Sequence, residues 1–163
     1  MKNLLPILAC LLFVLPCRAD DIEYRPGGEK WSSVWQTFYN NPGCEADLMT
    51  PLVEAGPRMT GTILEAISHK NMKLRRYAIG ALGWIKDKKA IPALTAILKD
   101  QQEIDYFRGD ALESIYLIDE HLGLELAKEY KDSSKYFRLI CPAILRKDPD
   151  LKVYPKCGWK AER

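Results

Sequence analysis

The sequence predicts an all-α fold: a short α-solenoid of two-helix repeats with an aromatic cap at the N-terminal end and a tail cap at the C-terminal end. Three observations predict it. Apolar residues recur at helical spacing, and no stretch of six or more residues alternates apolar with polar, so strands are not expected. One helix recurs: Arg75-x-x-Ala78-x-x-Ala81-Leu82 returns as Arg108-x-x-Ala111-x-x-Ser114-Ile115 and again as Arg138-x-x-Cys141-x-x-Ile144-Leu145, at offsets of 33 and 30 residues. A second helical pattern sits between the copies. A period of about 30 to 35 residues holding two helices marks units that bury their apolar faces only by stacking on one another.

The chain has 163 residues, 47% of them apolar and 28% charged, which is globular usage and excludes disorder along its whole length. Residues 1–19 read as a secretory signal peptide. Lys2 is followed by an apolar run from Leu4 to Leu15, interrupted by Pro6, and then by Pro16-Cys17-Arg18-Ala19, with small residues at the cleavage positions. A run of about 12 residues falls short of the roughly 20 that span a bilayer as a helix. Leu8-Ala9-Cys10 lies too early in the run for a lipoprotein box. The sequence contains no Asn-x-Ser/Thr, which points to a bacterial, hence periplasmic, protein starting near Asp20. The formal charge of +2 then belongs to the leader: residues 20–163 are neutral. Within them, 20–69 carry −5, 70–134 carry 0 and 135–163 carry +5. A neutral, end-polarised chain steers a partner without holding nucleic acid.

Residues 20–43 form a leader and a capping helix. The helix covers 29–40, and Asn41-Pro42-Gly43 ends it. Trp31, Trp35, Phe38 and Tyr39 are placed to cover the open apolar end of the stack. The repeat domain spans 44–146. Its first pair, 45–55 and 60–69, is divergent and broken at Gly56-Pro57. The next helix covers 74–85. Asp87 is positioned to cap 88–99, whose Ile91, Leu94, Ile97 and Leu98 share a face and whose Pro92 falls near the first turn. A helix over 104–118 follows, then one capped by Asp119 and reaching about Lys131, then one over 137–145. Ala78, Gly80, Ala81, Gly83, Ala111 and Ser114 are small enough for neighbouring helices to approach closely. In the tail, 147–163, Val153, Tyr154 and Trp159 are the residues that would cover the far end.

The unit from Leu74 through Arg75, Ala78, Ala81, Leu82, Trp84, Ile85, Asp87, Pro92, Leu94 and Leu98 to Asp100 resembles a HEAT-like repeat, in the short form known from phycobilisome lyases. The resemblance implies fold rather than chemistry. It implies an arginine–aspartate ladder between units, with Arg75 and Arg108 at the arginine position and Asp87 and Asp100 as partners. It also implies that the second helix of each unit lines the binding face. Lys88, Lys89, Thr95 and Lys99 would present one part of that face, and Glu125, Lys128 and Glu129 the next. Tyr106, Tyr116 and Tyr136 are candidate anchors, since tyrosine is enriched at interface hot spots.

Signal cleavage leaves Cys44, Cys141 and Cys157. In a linear stack Cys44 and Cys141 lie in distant units, whereas disulfide Cα atoms sit within about 7 Å. The expected bond is Cys141 to Cys157, with Cys44 either buried and reduced or paired between chains. Glu65 and His69 are spaced i, i+4 but no third ligand is evident, and His121 follows Glu120 at a helix start. No nucleophile elbow, P-loop or dinucleotide fingerprint occurs. No catalytic residue, metal or cofactor is therefore expected, and no stable membrane insertion after cleavage. The expected function is an exported, periplasmic scaffold or adaptor that binds another protein, as a monomer or weak dimer. The alternatives are an immunity protein that occludes a cognate toxin, and a small-ligand carrier or lyase-like enzyme.

Overall fold

A computed structural model describes residues 31–155. Its elements are helical: α1 (Ser32–Asn40), α2 (Thr50–Ala55), α3 (Thr60–Ser68), α4 (Arg75–Ile85), α5 (Ile91–Lys99), α6 (Asp105–Ile118), α7 (Glu120–Tyr130) and α8 (Lys135–Leu145). Short 3-10 turns cover Glu45–Asp47, Gly56–Met59, Lys88–Ala90 and Pro149–Lys152. Helices α2, α4, α6 and α8 pack side by side as one layer. The second layer is α3, α5 and α7, and each of these seals the first helix of the following unit: α3 on α4, α5 on α6, α7 on α8. The fold is thus a short two-layer solenoid, with α1 packed on α2 at one end.

Local chemistry sets the helix limits. Asp87 accepts from the Lys89 amide at 3.0 Å and Asp119 from the Leu122 amide at 3.1 Å, so each caps the helix that follows, as the sequence predicts. Ser134 caps α8 by accepting from the Phe137 amide at 3.4 Å. Helix α4 ends where Lys86 turns left-handed, at φ 59°, and returns its amide to Leu82 O.

Trp35 and Phe38 are buried in the core, and Trp31 and Tyr39 pack against it, so α1 covers its end of the stack as expected. Close approach between α4 and α6 occurs at Gly83, where a Cβ would stand 2.8 Å from Ser114 Cα. Ser114 Oγ donates across the same contact to Ile79 O at 3.1 Å. Gly80 has a different role: its nearest neighbour would be Met49 Sδ at 3.6 Å, and it faces open space on the α4 surface rather than a packed helix.

The arginine ladder forms, but not with the expected aspartates. Arg75 Nε donates to Ile67 O on α3 at 2.6 Å, and its Nη1 pairs with Glu103 at 2.7 Å, both side chains buried. Its guanidinium lies 5.3 Å from the Phe107 ring centre. One unit on, Arg108 Nε donates to Leu98 O on α5 at 3.0 Å, Nη1 pairs with Asp105 at 2.8 Å, and the guanidinium lies 5.2 Å from the Phe137 ring centre. Each arginine therefore ties the end of the preceding second helix to an aromatic ring of the next first helix. Asp87 and Asp100 are otherwise engaged. Asp87 is the cap described above, and Asp100 pairs with Lys70 at 2.8 Å while accepting from the Gln102 amide. Both sit at loop positions with a nearer donor than the ladder arginine.

The tail corrects two expectations. Val153 is 63% exposed, and Tyr154 packs far from α8, so the described part of the tail does not cap the last helix. Cys141 is a free thiol, fully buried on the core face of α8, and burial pushes its pKa up to about 11. Cys44 is exposed and disulfide-bonded rather than reduced. Trp159 and Cys157 lie outside the described residues.

Candidate binding groove

The first-helix layer carries a groove of about 590 Å³. Its floor is α4 and α6, through Arg76, Tyr77, Gly80, Trp84, Asp110, Glu113, Ser114 and Leu117. Helical phase explains this set. Arg75, Ala78, Ile79 and Leu82 turn into the core, which leaves Arg76, Tyr77, Gly80 and Trp84 on the opposite stripe of α4. One rim is Glu45 and Met49, ahead of α2. The other is a strap formed by residues 148–155, which leaves α8 and runs back across the layer towards the first unit.

Two anchors hold the strap. Near α8, Lys147 and Lys152 grip Glu120 at 2.7 and 2.6 Å, and these ammonium groups hold the Glu120 carboxyl down at about 2. Lys152 also lies 5.4 Å from the ring centre of Tyr116. At the far end, Tyr154 meets Trp84 edge-to-face with ring centres 5.0 Å apart, and its hydroxyl shares a hydrogen bond with Thr50 Oγ1 at 2.9 Å. Asp148 starts the strap's 3-10 turn by accepting from the Asp150 amide at 3.1 Å.

Five carboxylates line the groove (Glu45, Asp110, Glu113, Asp148 and Asp150) against one guanidinium, Arg76. Arg76 is committed to two of them. Its Nε donates to Asp110 Oδ2 at 2.6 Å and its Nη1 lies 3.5 Å from Glu45 Oε1, and the hydrogen bond to Asp110 raises its pKa further. The Tyr77 hydroxyl donates to Glu45 Oε1 at 2.6 Å, and burial, assisted by that bond, raises its pKa to about 12. Burial raises the Asp110 carboxyl above the usual range in spite of Arg76. Glu113 is raised as well, by burial and then by the neighbouring Asp110 charge. Among the described residues, Glu113 has no hydrogen-bond or ion-pair partner of its own. An anion kept partly dry without a counter-charge favours the arrival of a cation. Trp84, Tyr77 and Leu117 give the same groove apolar and aromatic walls.

The residues that sequence reasoning singled out fall elsewhere, with partial exceptions. Lys88, Lys89 and Lys99 are exposed and Thr95 is half-buried, all in the segment of the second layer around α5, and none lines the groove. Glu125, Lys128 and Glu129 are exposed on α7, again off the groove. Tyr116 is 1% exposed, so it belongs to the core and offers no anchor to a partner. Tyr106 and Tyr136 border the groove: Tyr106 lies 5.6 Å from Arg76, and the Tyr136 hydroxyl donates to Asp110 at 3.5 Å. Arg76, Asp110 and Glu113 were missed. The signal for them was the polar stripe of the same helices whose apolar stripe defines the repeat.

Among the described residues, no group of three or more His, Cys, Asp or Glu side chains is arranged to hold a metal ion, and no helix is long and apolar enough to cross a membrane. Residues 54–115 match a family model for HEAT repeats, so the α3–α6 part of the stack consists of HEAT-like repeats. No curated protein and no solved structure matches the chain.

Proposed function

We propose that the chain is an exported scaffold that binds another protein by taking a basic segment of it into the groove between α4, α6 and the strap. The observation that carries this reading is the lining, in which five carboxylates face one committed arginine and Glu113 lacks a counter-charge. A lysine or arginine of the partner would supply that charge, and its methylene stem would lie against Trp84 and Tyr77. HEAT-like repeats support the protein-binding part, since stacked helical units present extended surfaces to partners. Two features support action outside the cytoplasm: the signal-like leader, and the disulfide at Cys44, because such bonds persist in oxidising compartments. Occlusion of a toxin is a narrower form of the same activity. It would require the basic segment to belong to the toxin's working surface.

Titrating labelled peptides of basic, neutral and acidic composition into the oxidised protein tests the reading. Basic peptides are expected to bind preferentially, more weakly as salt rises. Glu113→Gln should weaken them while leaving thermal stability unchanged or higher, because it removes a partly desolvated charge. Binding should also fade with acid at a higher pH than an ordinary carboxylate would give, as Asp110 and Glu113 take up protons early. Equal binding of acidic and basic peptides, or indifference to Glu113→Gln, would discard the proposal. Binding of free small amines but of no peptide would favour the ligand-carrier alternative.

A further inference from the structure

We infer that the disulfide partner of Cys44 is Cys157, and that this bond is a redox-sensitive clasp closing the strap over the groove. Cys44 is bonded and Cys141 is free, so the partner is one of the cysteines outside the described residues: Cys10, Cys17 or Cys157. Two independent features select Cys157. The first is position. Tyr154 shares a hydrogen bond with Thr50 at 2.9 Å, so the strap ends beside the segment that Cys44 begins. From Cys44 the chain turns at once, with Asp47 N on Cys44 O and Leu48 N on Glu45 O, so Cys44 and Thr50 stay close. Three further residues beyond Tyr154 reach up to about 10 Å, enough to bring Cys157 within the roughly 7 Å that a disulfide tolerates. The second is processing. Cys10 and Cys17 lie in the segment expected to leave on export, so a lasting bond in the exported chain cannot use them.

The geometry gives the bond a consequence. The strap is anchored near α8 by two exposed lysine–glutamate pairs and at its far end by a single tyrosine. A bond at Cys44, next to the groove residue Glu45, fixes the far end covalently at the groove's rim. Cys44 is exposed, so a dithiol reductant can reach its sulfur. One thiolate of the reductant attacks Cys44 Sγ and expels Cys157 as a thiolate, which takes up a proton. The second thiol then resolves the mixed disulfide and releases Cys44 as a thiol. The net exchange turns one protein disulfide and one dithiol into two protein thiols and one oxidised dithiol, a transfer of two electrons and two protons. Reduction would leave the groove with one rim held by non-covalent contacts alone. The effect on partner binding rests on the proposed function, whereas the bond and the clasp do not.

The test therefore needs no ligand. Mass spectrometry of a digest of the exported, thiol-blocked, unreduced protein should show a peptide joining Cys44 to Cys157. A blocked free Cys44, a link from Cys44 to Cys10 or Cys17, or a Cys44–Cys44 link between chains would overturn the pairing. Hydrogen exchange then reads the clasp through the Leu151 and Val153 amides, which donate within the strap to Asp148 O and Asp150 O. With dithiothreitol as the reductant they should exchange about tenfold faster or more, while amides of α4 and α6 stay protected. A Cys44→Ser, Cys157→Ser double variant should exchange fast at those amides with or without the reductant. Equal exchange in oxidised and reduced wild-type protein would overturn the clasp even if the pairing holds.

Discussion

Arg75 and Lys152 each grip a glutamate, at 2.7 and 2.6 Å, yet the side chain of Arg75 is 4% exposed and that of Lys152 is 51% exposed. The first pair lies inside the α3–α6 stack, where Arg75 also holds Ile67 O and faces the Phe107 ring. The second lies in solvent, where it holds the strap to the start of α7. A buried pair cannot lose one partner without leaving the other as an uncompensated charge in a dry place. An exposed pair gives up its contact to water at little cost. The stack is therefore built as a stiff element and the strap as one that opens without unfolding what lies beneath it.

The largest expected effect tests the stiff side. Arg75→Met should cost about 3–5 kcal/mol in urea unfolding, because Glu103 is left buried without its partner. The double variant Arg75→Met, Glu103→Leu should recover much of that loss. A cost near that of an exposed pair would remove the contrast between the two regions. Next comes the strap's aromatic anchor. Tyr154→Ala should cost about 1–2 kcal/mol, from one ring pair and one hydrogen bond. The loss should be local, with faster exchange at Leu151 and Val153 and unchanged protection in α4 and α6. Loss of protection in α6 would show strap and stack to be one cooperative unit.

A smaller effect lies at the end of α4. Lys86 holds a left-handed conformation, at φ 59°, that glycine adopts without steric cost. Lys86→Gly should raise stability by about 0.5–1 kcal/mol, read as a higher urea midpoint with an unchanged slope. The smallest effect on global stability is the response of the strap to acid. The Glu120 carboxyl is held at about 2 against an ordinary 4.5, so its hold on the strap is full above the ordinary value and is lost as pH falls through about 2. The Val153 amide resonance should move over that window, with little shift of the Ser114 resonance inside the stack. A pH-independent Val153 resonance would mean that the lysine–glutamate pairs do not hold the strap.

Much of the stack was legible in the sequence. The copied Arg75 and Arg108 motifs, the caps Asp87 and Asp119 and the stop at Gly56-Pro57 all act within a few residues of themselves, so spacing alone placed them. The ladder partners were not legible, because Glu103 and Asp105 reach their arginines from loop and helix-start positions that the repeat does not copy. The groove was legible only as a polar stripe. Arg76, Asp110 and Glu113 belong to two helices, and nothing in either helix alone says which polar residues will share a wall. The strap escaped sequence reading for the same reason. The tail was assigned to the helix it follows, whereas its aromatic residue packs on Trp84, 70 positions earlier in the chain.

The sequence by itself determined the period, the helices and the small and apolar residues that let them stack, because each depends on contacts within one unit or between adjacent ones. Tertiary structure alone decided where the tail goes, which acids meet which bases, and that Cys141 is buried as a free thiol while Cys44 is bonded. Those outcomes depend on the distance between residues of remote units. That distance is fixed by how the layers stack and where the strap crosses them, not by any spacing along the chain.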